Sequence, residues 1–240
     1  TAVAASLIPE VITTALAETD RGGISDDAVD HFLKLSGKTT AVAIGPGLRS
    51  EDERSRRFVR TVVQKRGQPV VIDAVGLNCL SAWPKRLNGS VELPLILTPH
   101  PGEMLRLLGT DDKSVLTDRV AAAREFALAN KVILVLKGSR SLIAAPDGRV
   151  FVNPSGNAGL GTAGAGDTLT GLIAGFIAQA FATPGAGADA LEATIAALYV
   201  GGLAGDFAAR SLGMRTMVAS DIRAHFSDAI RHLDPGGEQP

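Results

Sequence analysis

The chain has 240 residues, of which 45% are hydrophobic and 20% charged, with a formal net charge of -1 at pH 7. That is enough apolar sequence for one full α/β core, and it provides no basic field to hold a nucleic acid or an anionic membrane surface. One Trp, one Tyr and eight Phe leave few platforms on which single-stranded bases could stack. The single cysteine, Cys79, cannot close an intrachain disulfide, and no His or Cys cluster has metal-ligand spacing. These features predict a small-molecule partner, a reducing cytoplasmic setting and no metal cage built by the protein. Thr1 to Ala17 lack the basic stretch and long apolar run of an export signal.

Short β-branched runs alternate with helical segments, which predicts a parallel sheet with helices on both faces. In chain order, the first strand is expected at Thr39 to Ile44. Ser50 to Arg66 opens with Glu51, Asp52 and Glu53 and closes with Lys65 and Arg66, the charge order a helix macrodipole favours. Strands follow at Val70 to Asp73 and Leu95 to Thr98, with Pro101 suited to the first turn of a helix. Asp118 to Asn130 reads as a helix capped by Thr117, leading into the strand Val132 to Lys137. Leu142 to Ala145 and Val150 to Val152 flank Pro146-Asp147-Gly148 and read as a hairpin. The remainder is helical: Thr168 to Ala182, Ala188 to Arg210, and Asp221 to Leu233 capped by Ser220. The apolar stretch Leu169 to Phe181 falls short of the roughly 20 residues a membrane span needs and predicts a buried helix. Thr183 to Gly187 is a loop and Pro235 to Pro240 a disordered tail. With no repeat or linker, residues 1–240 form a single expected domain. Ala, Gly and Leu on several faces of the late helices predict burial against the sheet or another subunit.

Four expected strands end in polar or glycine-rich segments, on the edge where open α/β sheets bind ligands. Gly45-Pro46-Gly47 follows the first, as a pocket wall or a tight turn. Asp73 ends the second, with Asn78 shortly after; either could bind substrate or an ion through water, or Asn78 could cap a turn. Thr98-Pro99-His100-Pro101-Gly102-Glu103 follows the third and holds an imidazole between two prolines, for ligand contact or for the loop itself. Lys137-Gly138-Ser139-Arg140-Ser141 follows the fourth, as a nucleotide contact or a surface hairpin turn. Asn157 to Asp167 then runs through Gly159, Gly161, Gly164 and Gly166 into an apolar helix. Amides at such a helix start attract anions and suit a transferring phosphoryl group, with Asp167 placed to accept a hydroxyl proton. The plainer reading has Asp167 capping the helix and the glycines serving packing.

Taken together, Gly45-Pro46-Gly47-Leu48, Thr98-Pro99-His100-Pro101-Gly102-Glu103, Leu136-Lys137-Gly138 and Gly156-Asn157 through Gly164-Ala165-Gly166-Asp167 resemble, in order and spacing, the ADP-dependent NAD(P)H-hydrate dehydratases. The resemblance covers nearly the whole chain. It implies a ribokinase-like fold. It also implies a reaction in which ADP, or ATP in some members, phosphorylates the hydroxyl of the hydrated nicotinamide ring (NADHX or NADPHX) before phosphate leaves. By that resemblance Asp167 is the base. Gly164, Ala165 and Gly166 form the anion hole, and Gly47, His100, Asn157 and Asp167 contact the hydrated dinucleotide. Lys137, Gly138, Ser139, Arg140, Ser141 and Gly166 line the nucleotide, with Mg²⁺ on the phosphates held by nucleotide and water. Bacterial-type members imply a homotetramer.

The sequence departs from the family in three places. The family's N-terminal strand, Gly-Ser loop and Ala-rich helix ahead of Ala5 to Val11 are missing, so part of the substrate wall is expected to be absent. Asp73-Ala74-Val75-Gly76-Leu77-Asn78 lacks the family's second acid, and Ser141 replaces the usual Thr. Two other readings compete. One is a ribokinase-like kinase for a vitamin-precursor alcohol, which His100 and Glu103 disfavour. The other is an inactive nucleotide-binding fragment, which Asp167 disfavours.

Overall fold

Six short apolar runs pair into one sheet in chain order: β1 (Val42–Ile44), β2 (Val70–Ile72), β3 (Leu95–Leu97), β4 (Ile133–Leu136), β5 (Leu142–Ala144) and β6 (Val150–Val152). The computed structural model describes residues 10–49, 52–182 and 187–234. Strands β1 to β4 are parallel, with Val42 opposite Val70, Val70 opposite Leu95 and Ile96 opposite Ile133. β5 and β6 turn back antiparallel, pairing Leu136 with Leu142 and Leu142 with Val152. Every expected strand is present, the last with the expected bounds and the others one to three residues shorter at one or both ends. The hairpin turn closes through Ala145 N–H to Arg149 O at 2.8 Å and Gly148 N–H to Ala145 O at 3.0 Å.

The strand period of two divides the core. Val42, Ile44, Val70, Ile72, Leu95, Leu97, Leu134 and Leu136 face one side. There they meet α1 (Val29–Ser36), α2 (Glu53–Gln64), α3 (Val75–Cys79), α4 (Pro101–Leu108) and α5 (Arg119–Asn130). Val71, Ile96, Ile133, Val135 and Ile143 face the other side, against α6 (Ala165–Ala182) and α7 (Ala190–Leu212). The strands are laid down one beside the next in chain order. Right-handed crossovers therefore place every connecting helix on one face and leave the other to the late helices. Ile72, Leu97 and Leu134 are each fully buried at 0% exposure, and each such side chain stabilises the fold by roughly 1.5–3 kcal/mol.

Several helix boundaries differ from expectation. Asp118, not Thr117, caps α5, its carboxylate accepting from Ala121 N–H at 2.9 Å. The anion-site helix α6 begins at Ala165, ahead of Thr168, and α7 spans Ala190–Leu212 behind an Asp189 cap. The single helix expected from Asp221 to Leu233 is two: α8 (Ala219–Ala224) and α9 (Phe226–Leu233). Ser220 lies inside α8, and Asp221 takes the Val218 N–H at 2.8 Å. His225 breaks the run, its Nδ1 bonding the Asp221 carbonyl at 2.8 Å. The helix at Leu169 to Phe181 is buried along a stripe through Ile173 and Ile177 rather than all round; Gly171, Gly175 and Gln179 are exposed. By length and composition α6 and α7 could each cross a membrane. α7 is largely core, and α6 sits with its stripe on the sheet. The expected helix start at Ser50, residues 183–186 of the expected loop, the tail 235–240 and residues 1–9 lie outside the described residues.

Candidate active site

Parallel pairing brings the C-terminal ends of β1 to β4 to one edge, and two close approaches shape it. Gly45 has φ +133°, and a Cβ there would stand 1.8 Å from the Asp73 carbonyl oxygen, so only glycine lets the ends of β1 and β2 meet. Gly47, with φ +76°, opens onto free space.

Asp73 is 1% exposed and serves as an anchor. One carboxylate oxygen accepts from Lys137 Nζ at 2.7 Å, and the other accepts from the Thr170 hydroxyl on α6 at 2.7 Å. Glu103 lies 3.8 Å from the same ammonium. A Cβ on Gly166 would sit 3.6 Å from Lys137 Nζ. The ammonium therefore lies against the first turn of α6, held by a charge-assisted bond whose geometry a buried carboxylate and a hydroxyl define.

His100 caps α4. Its Nδ1 accepts from Gly102 N–H at 3.0 Å and from Glu103 N–H at 3.4 Å, while Glu103 returns a carboxylate oxygen to His100 N–H at 2.8 Å. With Nδ1 accepting, the network assigns the proton of a neutral ring to Nε2, which stands 3.6 Å from Glu103. The ring is half-exposed and lines the cavity, so it joins the capping role to a place on the cavity wall.

That cavity holds about 580 Å³, within the size range of small-ligand sites. His100, the whole segment Lys137 to Ser141, Asn157, Ala165 and Gly166 line it. Lys137 to Ser141 is at once the hairpin connection between β4 and β5 and a wall of the cavity. Arg119 braces it from behind through the carbonyls of Ser139 at 3.0 Å and Leu136 at 3.4 Å. Gly164, at φ +81°, turns the chain into α6. The first-turn amides of that helix have no intrahelical acceptor and carry the positive end of its dipole. Asp167 is exposed on this turn, outside the cavity lining along with Gly164 and Gly47. Together these elements set an ammonium and a helix N-terminus against one cavity, with the Asp167 carboxylate one residue beyond Gly166.

A family profile described as NAD(P)H-hydrate dehydratase matches residues 1–227. The chain belongs to the NAD(P)H-hydrate dehydratase family. A bifunctional NAD(P)H-hydrate repair enzyme, Nnr, from Moorella thermoacetica is 43% identical over 225 residues, 94% of this chain and 41% of that protein. An ADP-dependent (S)-NAD(P)H-hydrate dehydratase from Xanthomonas campestris is 34% identical over 231 residues, 95% of this chain and 74% of the relative. The chain spans about two fifths of the length of the bifunctional relatives. A solved ADP/ATP-dependent NAD(P)H-hydrate dehydratase from Bacillus subtilis, co-crystallized with ATP/Mg²⁺ and soaked with CoA, is similar with a TM-score of 0.70 at 29% identity, covering 88% of this chain and 80% of that one. A hydroxyethylthiazole kinase from Pyrococcus horikoshii shares the fold, with a TM-score of 0.60 at 19% identity over 90% of this chain and 78% of that one. The expected ribokinase-like architecture stands.

Within this family member, sequence reasoning missed part of the wall. Asn153, Pro154 and Ser155 after β6, Leu198, Gly201 and Gly202 of α7, and Ile222 and Phe226 of the last helices also line the cavity. The Asn-Pro-Ser-Gly turn signal was legible; which helix it would lie against was not. Asn157 has both amide protons engaged, by Gly205 O at 3.0 Å and Asp206 at 2.9 Å, and its oxygen accepts from Gly159 N–H at 2.9 Å. Its amide thus shapes the loop and offers a ligand at most one lone pair. Asn78 accepts from Arg106 Nε at 2.7 Å, tying α3 to α4. Among the described residues no group of three or more His, Cys, Asp or Glu could hold a metal ion.

Proposed function

We propose that this chain dehydrates the S-form of hydrated NADH and NADPH at the expense of ADP, through a phosphorylated intermediate. The observation that carries the reading is the Lys137 ammonium, anchored by Asp73 and lying against Gly166 at the start of α6, one residue from Asp167. In this reading Asp167 takes the proton of the ring hydroxyl as its oxygen attacks the terminal phosphorus of ADP. The bond from phosphorus to the bridging oxygen breaks and AMP departs. Lys137 and the α6 amides offset the charge that grows on the phosphoryl oxygens. The ring C–O bond then breaks, phosphate leaves with the electron pair, and loss of a proton from the neighbouring ring carbon restores the reduced nicotinamide.

Lys137 to Ser141 would hold the nucleotide, while His100, Gly47 and Asn157 would face the hydrated dinucleotide. Asp73 and Glu103 are already drawn to Lys137, so Mg²⁺ would be brought to the site by the nucleotide phosphates rather than by a cage of these two carboxylates. It would neutralise phosphate charge. A cytoplasmic homotetramer acting on these small molecules, without nucleic acid or membrane, completes the proposal; the exposed face of α6 through Gly171 and Gly175 supports self-association.

The test is recovery of absorbance at the reduced-nicotinamide band from hydrated NADH with Mg²⁺ and either ADP or ATP, comparing the chain with Asp167→Asn. Nucleotide-dependent recovery that falls about 10²–10⁴-fold in the variant is the expected result. Accumulation of a stable phosphorylated product, or ADP binding without any recovery, would overturn the reading.

A further inference from the structure

Asp206 belongs to neither the cavity lining nor any expected site, yet it receives a loop that lines the cavity. From α7 its carboxylate accepts from Gly156 N–H at 2.9 Å and from the Asn157 side-chain amide at 2.9 Å. Asn157 also donates to the carbonyl of the preceding residue, Gly205, at 3.0 Å, and caps the turn Ala158–Gly161 through Gly159 N–H. Both partners of this partly buried carboxylate are neutral N–H donors, so the loop supplies two hydrogen bonds to it in place of water. The helix surface around it is cut away to admit the loop. A Cβ on Gly202 would lie 2.2 Å from the Ser155 hydroxyl, and one on Gly205 would lie 2.5 Å from the Leu160 side chain. Ser155 itself donates to the α7 carbonyl of Tyr199 at 3.0 Å. Gly156, at φ +97°, bends the chain so that its N–H points at the carboxylate.

We infer that Asp206 is a positioning residue that latches the Gly156–Gly161 loop onto α7 and thereby sets how the chain enters the Gly164–Asp167 anion site. A carboxylate is required because two donors converge on it. An amide at 206 has one acceptor, so whichever way it turns, either Gly156 N–H or the Asn157 amide loses its partner. The inference rests on the proposed reading of the pocket for its kinetic consequence only.

The test compares the intact chain with Asp206→Asn and with the swapped pair Asn157→Asp/Asp206→Asn. In the swap, the amide at 206 can accept from Gly156 and donate to the carboxylate at 157, rebuilding the latch while turning the 157 side-chain oxygen from the Gly205 carbonyl it would repel. For Asp206→Asn the expected result is amide exchange at least ten-fold faster across Gly156 to Gly161 with the sheet unchanged. Dehydratase kcat is expected to fall at least ten-fold while the Kd for ADP moves less than three-fold, since Lys137 to Ser141 are held by the β4–β5 pairing and by Arg119 and not by the Asp206 latch. The swapped pair is expected to recover at least three-fold of the exchange protection, read by hydrogen exchange because position 157 also faces the cavity. Exchange and kcat at the level of the unsubstituted chain in Asp206→Asn would overturn the inference. If that variant does not fold, the swapped pair decides, and loss of protection at Gly156 to Gly161 in it is the refuting result. Hydrogen exchange reads the latch without any turnover, so a chain that fails to dehydrate the hydrate would sink the functional reading and leave this one to stand or fall separately.

Discussion

Gly166→Ala separates stability from chemistry at the centre of the pocket. The position is helical with no positive φ, and the new methyl would lie 3.6 Å from Lys137 Nζ and 3.8 Å from Asp73 Oδ2, ordinary contacts that the fold absorbs without movement. Alanine in place of glycine favours the helix by up to about 1 kcal/mol, which raises Tm by up to roughly 2–4 °C in a domain of this size. The site responds in the opposite sense. A phosphoryl oxygen bonding the ammonium at about 2.8 Å would have to share its approach with a methyl 3.6 Å from the same nitrogen. Displacing the reacting phosphorus by about 1 Å costs on the order of 10²-fold in turnover. Calorimetry together with ADP-dependent recovery of reduced nicotinamide measures both sides. A variant with unchanged Tm or better and about 10²-fold lower kcat is expected. Undiminished turnover would refute the placement of the phosphoryl group against Gly166 and Lys137.

Three further perturbations follow from the same geometry. Asp73→Ala leaves the Thr170 hydroxyl and the Lys137 ammonium without their buried partner, and is expected to lower unfolding free energy by about 3 kcal/mol, read from urea denaturation. Arg119→Ala removes the brace behind Ser139 and Leu136; KM for ADP is expected to rise about ten-fold, roughly 1.4 kcal/mol, with kcat changing less, in steady-state kinetics. Burial pushes the Cys79 thiol up to about 11, so about a thousandth of it is thiolate at pH 8. Iodoacetamide should label it only after global unfolding, and rapid labelling of the native chain would contradict the packing of α3. The neutral thiol is the form the fold prefers, so its contribution to stability is complete below the ordinary cysteine range and is lost as pH rises toward 11.

The strands and the composition of the sheet edge could be read from the chain. Val70 to Asp73 and Val132 to Lys137 are too apolar and too short for anything but buried strands, and each ends in a residue whose side chain bears chemistry. Helix ends were less legible. Thr117 and Asp118 are both good caps, and Thr117 is taken up in closing the turn Lys113–Leu116, its N–H donating to the Ser114 carbonyl at 3.0 Å, which leaves the cap to Asp118. The break at His225 depends on an imidazole finding the Asp221 carbonyl, which composition does not announce.

Local pattern therefore determined which segments are strands, which glycines open a turn and which polar residues reach the ligand edge, because these follow from periodicity and from the backbone freedom of single residues. Pairings across long separations were decided by the tertiary structure alone. Asp73 meets Lys137 and Thr170, 64 and 97 residues away, and Asp206 meets Gly156 and Asn157, only after the sheet has ordered its strands and α7 has docked. A carboxylate in isolation carries no mark of its partner. Burial removes water as the alternative, and the partner is then whichever donor the packing brings within about 3 Å.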